Sequence, residues 1–301
     1  MTYQLIENYG VIGNMRTAAL ISTRGSIDWF CCPKFDSPSV FARILDDTDG
    51  GYFEVVPLCD RVTEKQCYWP DTNILVTRFL SEYGIVELID FMPAAGPEAA
   101  RHQIIRRIHC VRGEVPLRLA CHPVFNYGLD THETELTGQG AIFAHPSLSL
   151  ALATHLPLQR TGFGVEVQFR LRENESCILA LRVLDETNSC GVALTLQEGE
   201  QLFLETVRFW RSWLSKCTYR GRWREMVHRS PLVLKLLTFE PTGAIVAAPT
   251  CSLPEEIGGV RNWDYRYTWI RDAAFTLYGL MRIGFSQEAA AFMGWLSARL
   301  E

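Results

Sequence analysis

Glu200-Gln201-Leu202-Phe203-Leu204-Glu205-Thr206-Val207-Arg208-Phe209-Trp210-Arg211-Ser212-Trp213-Leu214 is where this chain changes character. Leu202, Thr206, Phe209, Trp210, Trp213 and Leu214 recur at three- and four-residue steps, the spacing of one helix face. The sequence before it reads as β structure. A hairpin is predicted at residues 74–80 and 85–91 around Ser81-Glu82-Tyr83-Gly84. Runs rich in β-branched and aromatic residues follow at 104–111, 117–121, 141–144, 148–153, 165–171 and 177–183, separated by turn residues. Many short strands at such intervals predict an antiparallel sandwich, not a parallel α/β sheet. Gly10, Gly13 and Gly25 are too irregularly spaced for a phosphate loop.

After the switch the chain stays helical. A second run spans about 222–239, with Met226, Val227, Val233, Leu234 and Leu237. Pro231 lies inside it and is expected to kink or split it. A loop rich in Pro241, Gly243, Pro249, Pro254, Gly258 and Gly259 leads to a further helix ending near Ile283. Gly284 reads as its stop and Ser286 as the N-cap of a last helix through Leu300. These two helices carry Trp269, Phe275, Leu277, Leu280, Met281, Phe292, Met293 and Trp295. Two helices cannot bury so much on each other, so they are expected to open a larger helical domain.

Composition sets bounds. The 301 residues exceed one typical domain, and 48% hydrophobic with 21% charged is the profile of a globular protein. A net charge of −5 gives no whole-chain attraction to nucleic acid or anionic membrane. The doublet Arg106-Arg107 is expected on a strand, its side chains on opposite faces. The first residues have neither a basic nor an apolar leader segment, and no run is long enough for a membrane helix. The ten cysteines form no CxxC pair and read as reduced thiols of a cytoplasmic protein. Cys110 and Cys121 with His109 and His122 match no compact zinc motif and read as core residues. No metal or cofactor is expected.

The chemistry concentrates in Arg261-Asn262-Trp263-Asp264-Tyr265-Arg266-Tyr267-Thr268-Trp269-Ile270-Arg271-Asp272-Ala273-Ala274. Aromatic faces stack on flat apolar surfaces, and Arg–carboxylate pairs grip hydroxyls. The combination suits a neutral polyhydroxylated ligand, a sugar. Trp263 and Tyr267 read as packing residues. Glu255-Glu256 reads as a solvated loop edge, because adjacent side chains of one loop do not flank a bond from both faces. His102, His109, His122, His132, His145 and His155 show no nucleophile to pair with and read as structural or exposed.

From Tyr265 to Ala274 the sequence resembles the opening signature of family 15 glycoside hydrolases, the glucoamylase, glucodextranase and bacterial-type trehalase group. Ile6-Glu7-Asn8-Tyr9-Gly10-Val11-Ile12-Gly13-Asn14, Gly25-Ser26-Ile27-Asp28-Trp29-Phe30-Cys31 and Pro33-Lys34-Phe35-Asp36-Ser37-Pro38-Ser39-Val40-Phe41 resemble that group's N-terminal β domain. Ala247-Ala248-Pro249-Thr250 to Leu253-Pro254-Glu255 is similar to its entry into the barrel. The resemblance implies a β-sandwich over 1–200, a helical linker over 201–240 and, over 241–301, the first helices of an (α/α)6 barrel, truncated. By fold analogy, Trp29 is expected to help the sandwich contact the barrel.

The resemblance also implies inverting hydrolysis of α-glucosidic bonds, with one carboxyl as general acid and another as general base. In the family both glutamates lie later in the barrel. After Asp272 this chain has only Glu288 and Glu301, on its last helix, so no catalytic acid or base is assigned. What carries over is sugar binding. Arg271 and Asp272 match the pair that hydrogen-bonds the non-reducing glucose, and Tyr265 and Trp269 match aromatics lining that subsite. The partner implied is an α-glucoside or oligosaccharide, with no nucleic acid and no membrane. The alternative is a non-catalytic sugar-binding or regulatory module of the same fold.

Overall fold

The computed structural model describes residues 3–99, 101–184, 190–252, 255–256 and 259–300. Leu253, Pro254, Gly258 and Glu301, used in the sequence reading, lie outside them. Strands come first: β1 (Tyr9–Gly13), β2 (Ala18–Ser22), β3 (Ser26–Cys31), β4 (Ser39–Phe41), β5 (Tyr52–Pro57), β6 (Val62–Tyr68), β7 (Leu75–Ser81) and β8 (Gly84–Phe91). A single helical turn, α1 (Gly96–Ala99), leads to β9 (Gln103–His122). The strand region ends with β10 (Glu133–Thr137), β11 (Gly140–Ala144), β12 (Leu150–Ala153), β13 (Gln159–Thr161), β14 (Gly164–Arg172) and β15 (Ser176–Val183).

The strands join in one antiparallel sheet folded into two layers, and β9 belongs to both. Its first half pairs with β8 and β15, and its second half with β5 and β14. Between the layers Ile12, Phe30, Phe53 and Leu119 meet Leu75, Leu88, Phe143 and Leu181 in one buried cluster. The sequence suggested two strands where β9 runs unbroken. Gly113-Glu114-Val115-Pro116 reads as a turn, but Gly113 at φ 82° only bends the strand. Val115 and Leu117 keep the alternation that fills the core, and the Pro116 carbonyl accepts from the Leu58 N–H at 2.8 Å.

The arginine doublet behaves as strand alternation requires. Arg107 points outward to Glu200. Arg106 is fully buried and donates to Asp90 (2.8 Å) and to the carbonyls of Phe53 (2.6 Å) and Gly25 (2.7 Å). Asp90 lies in one layer and Phe53 in the other, so one guanidinium ties both.

Helix α2 (Leu196–Leu214) starts earlier than its apolar stripe, at a capping box. The Thr195 hydroxyl accepts from the Glu198 N–H (3.2 Å), and the Glu198 carboxylate accepts from the Thr195 N–H (2.8 Å). Its buried face includes Leu202, Thr206, Trp210, Trp213 and Leu214, as the periodicity predicts. Helix α3 (Arg224–Leu236) runs through Pro231 without splitting. Packing decides here: Pro231 is buried beside Leu232 and Leu236, and burial offsets the one missing backbone bond.

Helices α4 (Ile270–Arg282) and α5 (Gln287–Ser297) flank Gly284, which takes φ 100° as a helix stop should. Ser286 precedes α5, but its side chain makes no capping bond, and α5 ends at Ser297, short of Leu300. Ala273, Leu277, Ala289 and Phe292 pack together, whereas Ile270, Phe275, Tyr278, Met281 and Met293 are exposed. No helix among the described residues is long and apolar enough to cross a membrane.

Glu288 on α5 is buried and joins three helices. Its carboxylate accepts from the Trp213 indole (2.7 Å) and from Lys235 (2.9 Å). Burial pushes its pKa up, but these two partners outweigh burial and hold it below the ordinary value. A carboxyl lowered in the folded state stabilises above its unfolded pKa and loses that contribution as pH falls through the folded one. Glu288→Gln is therefore expected to cost about 1.5 kcal/mol at neutral pH. The gap to the unmodified chain should close below pH ~4. Urea unfolding across that range measures it, and a pH-independent gap would rule out the carboxylate as the cause.

Candidate functional site

The cluster read as sugar-binding sits where an extended segment turns into α4. Residues 263–267 pair with 247–252: the Ala247 N–H donates to the Tyr267 carbonyl (3.0 Å), Ala248 to Tyr265 (2.8 Å) and Ser252 to Trp263 (2.8 Å). An extended segment turns successive side chains to opposite sides. Arg266 accordingly points into the protein and is 6% exposed, while Tyr265 and Tyr267 lie at the surface side.

Arg266 is the anchor. It donates to the Asp264 carboxylate (3.0 and 2.7 Å), the Tyr127 hydroxyl (2.7 Å) and the Ser37 carbonyl (2.8 Å). Ser37 and Tyr127 belong to the strand region, so the guanidinium fastens the segment to it. These hydrogen bonds are the chief reason the Asp264 carboxyl lies below the usual carboxylate range. The sequence reading gives the grip to Arg271 and Asp272 and assigns Arg266 no role, so this anchor was missed. Its partners Ser37 and Tyr127 lie far away in sequence, so no local signal marks it.

Tyr265, Trp269, Arg271 and Asp272 come together at the start of α4. The Tyr265 and Trp269 rings lie 5.5 Å apart at 30°. The Arg271 guanidinium is 5.8 Å from the Trp269 ring, and its Nε donates to Asp272 at 3.2 Å. Arg271 and Asp272 keep 71% and 40% of their side-chain surface open, so both are accessible to a ligand. Asp272 lies in the first turn of α4, where the helix dipole favours a carboxylate, but it caps nothing. An exposed Arg–Asp pair contributes little to stability, so stability gives a weak account of the arrangement. Chemically, the carboxylate can accept from vicinal hydroxyls, the guanidinium can donate to them, and the rings can cover a C–H face.

Trp263 and Tyr267, read as packing residues, are about half exposed. Glu255 and Glu256 are exposed at a loop edge, as read. The Trp29 indole, fully buried, donates to the Pro249 carbonyl (2.8 Å), so β3 touches the segment leading to the cluster as expected. Cys110 and Cys121 are buried in the core, while His109 faces Ser176 and His122 faces Glu166. Among the described residues no three or more His, Cys, Asp and Glu gather to hold a metal ion.

The family model described as trehalase-like, N-terminal, matches residues 2–201, and that of glycosyl hydrolases family 15 matches residues 221–301. The chain belongs to the trehalase-like, N-terminal family, and its remaining helical part matches the family 15 model. The family 15 stretch holds the whole α4 cluster, and the trehalase-like stretch supplies Ser37, Tyr127 and Trp29 that brace it. A trehalase of Thermoplasma volcanium is 39% identical over 298 residues, 97% of this chain and 47% of its own length. A trehalase of Thermoplasma acidophilum is 36% identical over 288 residues, 91% of this chain and 47% of its own. One from Mycolicibacterium smegmatis is 34% identical over 318 residues, again 97% and 47%. The chain thus spans about half the length of the curated relatives it matches.

Proposed function

We propose that this chain is the N-terminal part of an inverting α-glucosidase of family 15, and that it supplies the glucose-binding half-site without the catalytic pair. In this reading residues 1–200 form the sandwich, 201–240 the linker and 241–301 the opening of an (α/α)6 barrel. The observation that carries it is the accessible convergence of Tyr265, Trp269, Arg271 and Asp272 at the start of α4. Arg271 and Asp272 grip hydroxyls of a terminal glucose, and Tyr265 and Trp269 line its apolar face. A site built this way rejects ligands lacking those hydroxyls, because its own polar groups would stay unpaired. The names of the relatives favour trehalose as the α-glucoside.

Carboxyl chemistry supports binding without cleavage. A general acid must be able to hand its proton to the leaving oxygen. Neither Asp264 nor Glu288 is free for that role. Asp264 and Glu288 are committed to Arg266 and to Trp213 with Lys235. The chain alone is expected to bind trehalose or glucose saturably in a calorimetric titration and to release no glucose from trehalose, maltose, isomaltose or dextrin. Turnover above background would sink the claim that it lacks the catalytic pair. Binding unchanged by Asp272→Ala would sink the half-site.

A further inference from the structure

A second polar cavity, of about 300 Å³, opens on the strand region. Its lining comes from residues 3–118. Strand β3 links it to the region described above: Asp28 points into the cavity, and its neighbour Trp29 points the other way, to Pro249. The Asp28 carboxylate accepts from the Tyr9 hydroxyl (2.8 Å) and from Ser26. Burial pushes its pKa up despite those bonds. Beside it the Glu54 carboxylate accepts from Arg43 (2.9 Å) and from Arg118. The Arg43 guanidinium lies 3.7 Å over the Tyr52 ring.

Stability gives a poor account of this network. Buried ion pairs are often no better for stability than apolar side chains of the same volume. Here the network lines an open cavity when β-branched residues could have closed it. Its charges also balance: Arg24, Arg43 and Arg118 stand against Asp28, Asp47 and Glu54. A balanced lining attracts neither anions nor cations over long range, but it presents fixed donors beside fixed acceptors. At the rim Tyr3 offers an exposed ring, held by a bond from its hydroxyl to the Leu45 carbonyl (3.2 Å). The volume lies at the small end of ligand sites, enough for one or two sugar rings.

From these features we infer that the sandwich carries a second carbohydrate site, taking a neutral mono- or disaccharide, with Asp28, Glu54, Arg43 and Arg118 hydrogen-bonding its hydroxyls and Tyr3 covering one face. This site does not depend on the α4 cluster. The test uses the full chain carrying Arg271→Ala and Asp272→Ala, titrated with trehalose and with glucose while backbone amides are followed by NMR. The expected result is saturable shifts at the amides of Ser26, Asp28 and Glu54. Asp28→Asn and, separately, Tyr9→Phe should each weaken that binding about tenfold in a chain of unchanged spectral dispersion. No shift at those amides up to the solubility limit of either sugar would overturn the proposal. So would shifts that both variants leave intact, or shifts abolished by the α4 substitutions alone. In the unmodified chain, shifts at these amides with none at Tyr265, Trp269 or Asp272 would make the half-site reading fail and leave this one standing.

Discussion

Arg106→Met is expected to lower the unfolding free energy by about 4 kcal/mol, among the largest effects of any single substitution in this chain. The reason is what remains behind. Asp90 has no exposed side-chain surface and would keep its charge or its proton without a partner. The Phe53 carbonyl would also lose its guanidinium donor between the layers, while the Gly25 carbonyl keeps the Val55 N–H (3.2 Å). Most of the loss is this uncompensated burial, not the attraction of the pair. Removing both charges together, as Arg106→Met with Asp90→Leu, should therefore recover more than half of it. Urea unfolding of the two variants decides the matter. A single-variant loss below about 1 kcal/mol would show that water or a rearranged neighbour satisfies Asp90.

Arg266→Met should cost about 3 kcal/mol, at the low end for a buried pair because Asp264 is one-third exposed. Its consequence for the site should exceed its consequence for the fold. Without the guanidinium, the segment before α4 loses its bonds to Ser37 and Tyr127, and the Tyr265–Trp269 pair loses its fixed base. Sugar binding at the α4 cluster should fall at least tenfold by the half-site reading. Arg266→Lys keeps the charge but not the planar fork, so it should recover stability partly and geometry poorly. Limited proteolysis within 247–267 reports the loosening directly. A variant as resistant as the unmodified chain would remove Arg266 from its anchoring role.

What the sequence showed and hid follows from how local each feature is. The apolar stripe of α2, the stop at Gly284 and the 74–91 hairpin are set by neighbours a few residues apart, so they could be read directly. The α4 cluster was legible because its four members lie within eight residues. The unbroken run of β9 was hidden, since Gly113 and Pro116 punctuate most chains and only pairing with the two flanking layers carries the strand through them. Arg266 was hidden for a related reason. Its partners Ser37 and Tyr127 lie far away in sequence, so nothing local distinguishes it from Arg271. The cavity around Asp28 likewise joins β1, β3 and β5 to a residue of β9.

Because β9 serves both layers, neither can be completed before it exists. As the chain leaves the ribosome, β1 to β5 wait for their partner until His122 has emerged, and the opposite layer waits until Val183 closes β15 onto β9. Nearly two hundred residues must therefore be available before the sandwich gains its central pairings. Until then its strand edges are open, and that interval is when the nascent chain most needs shielding from its neighbours.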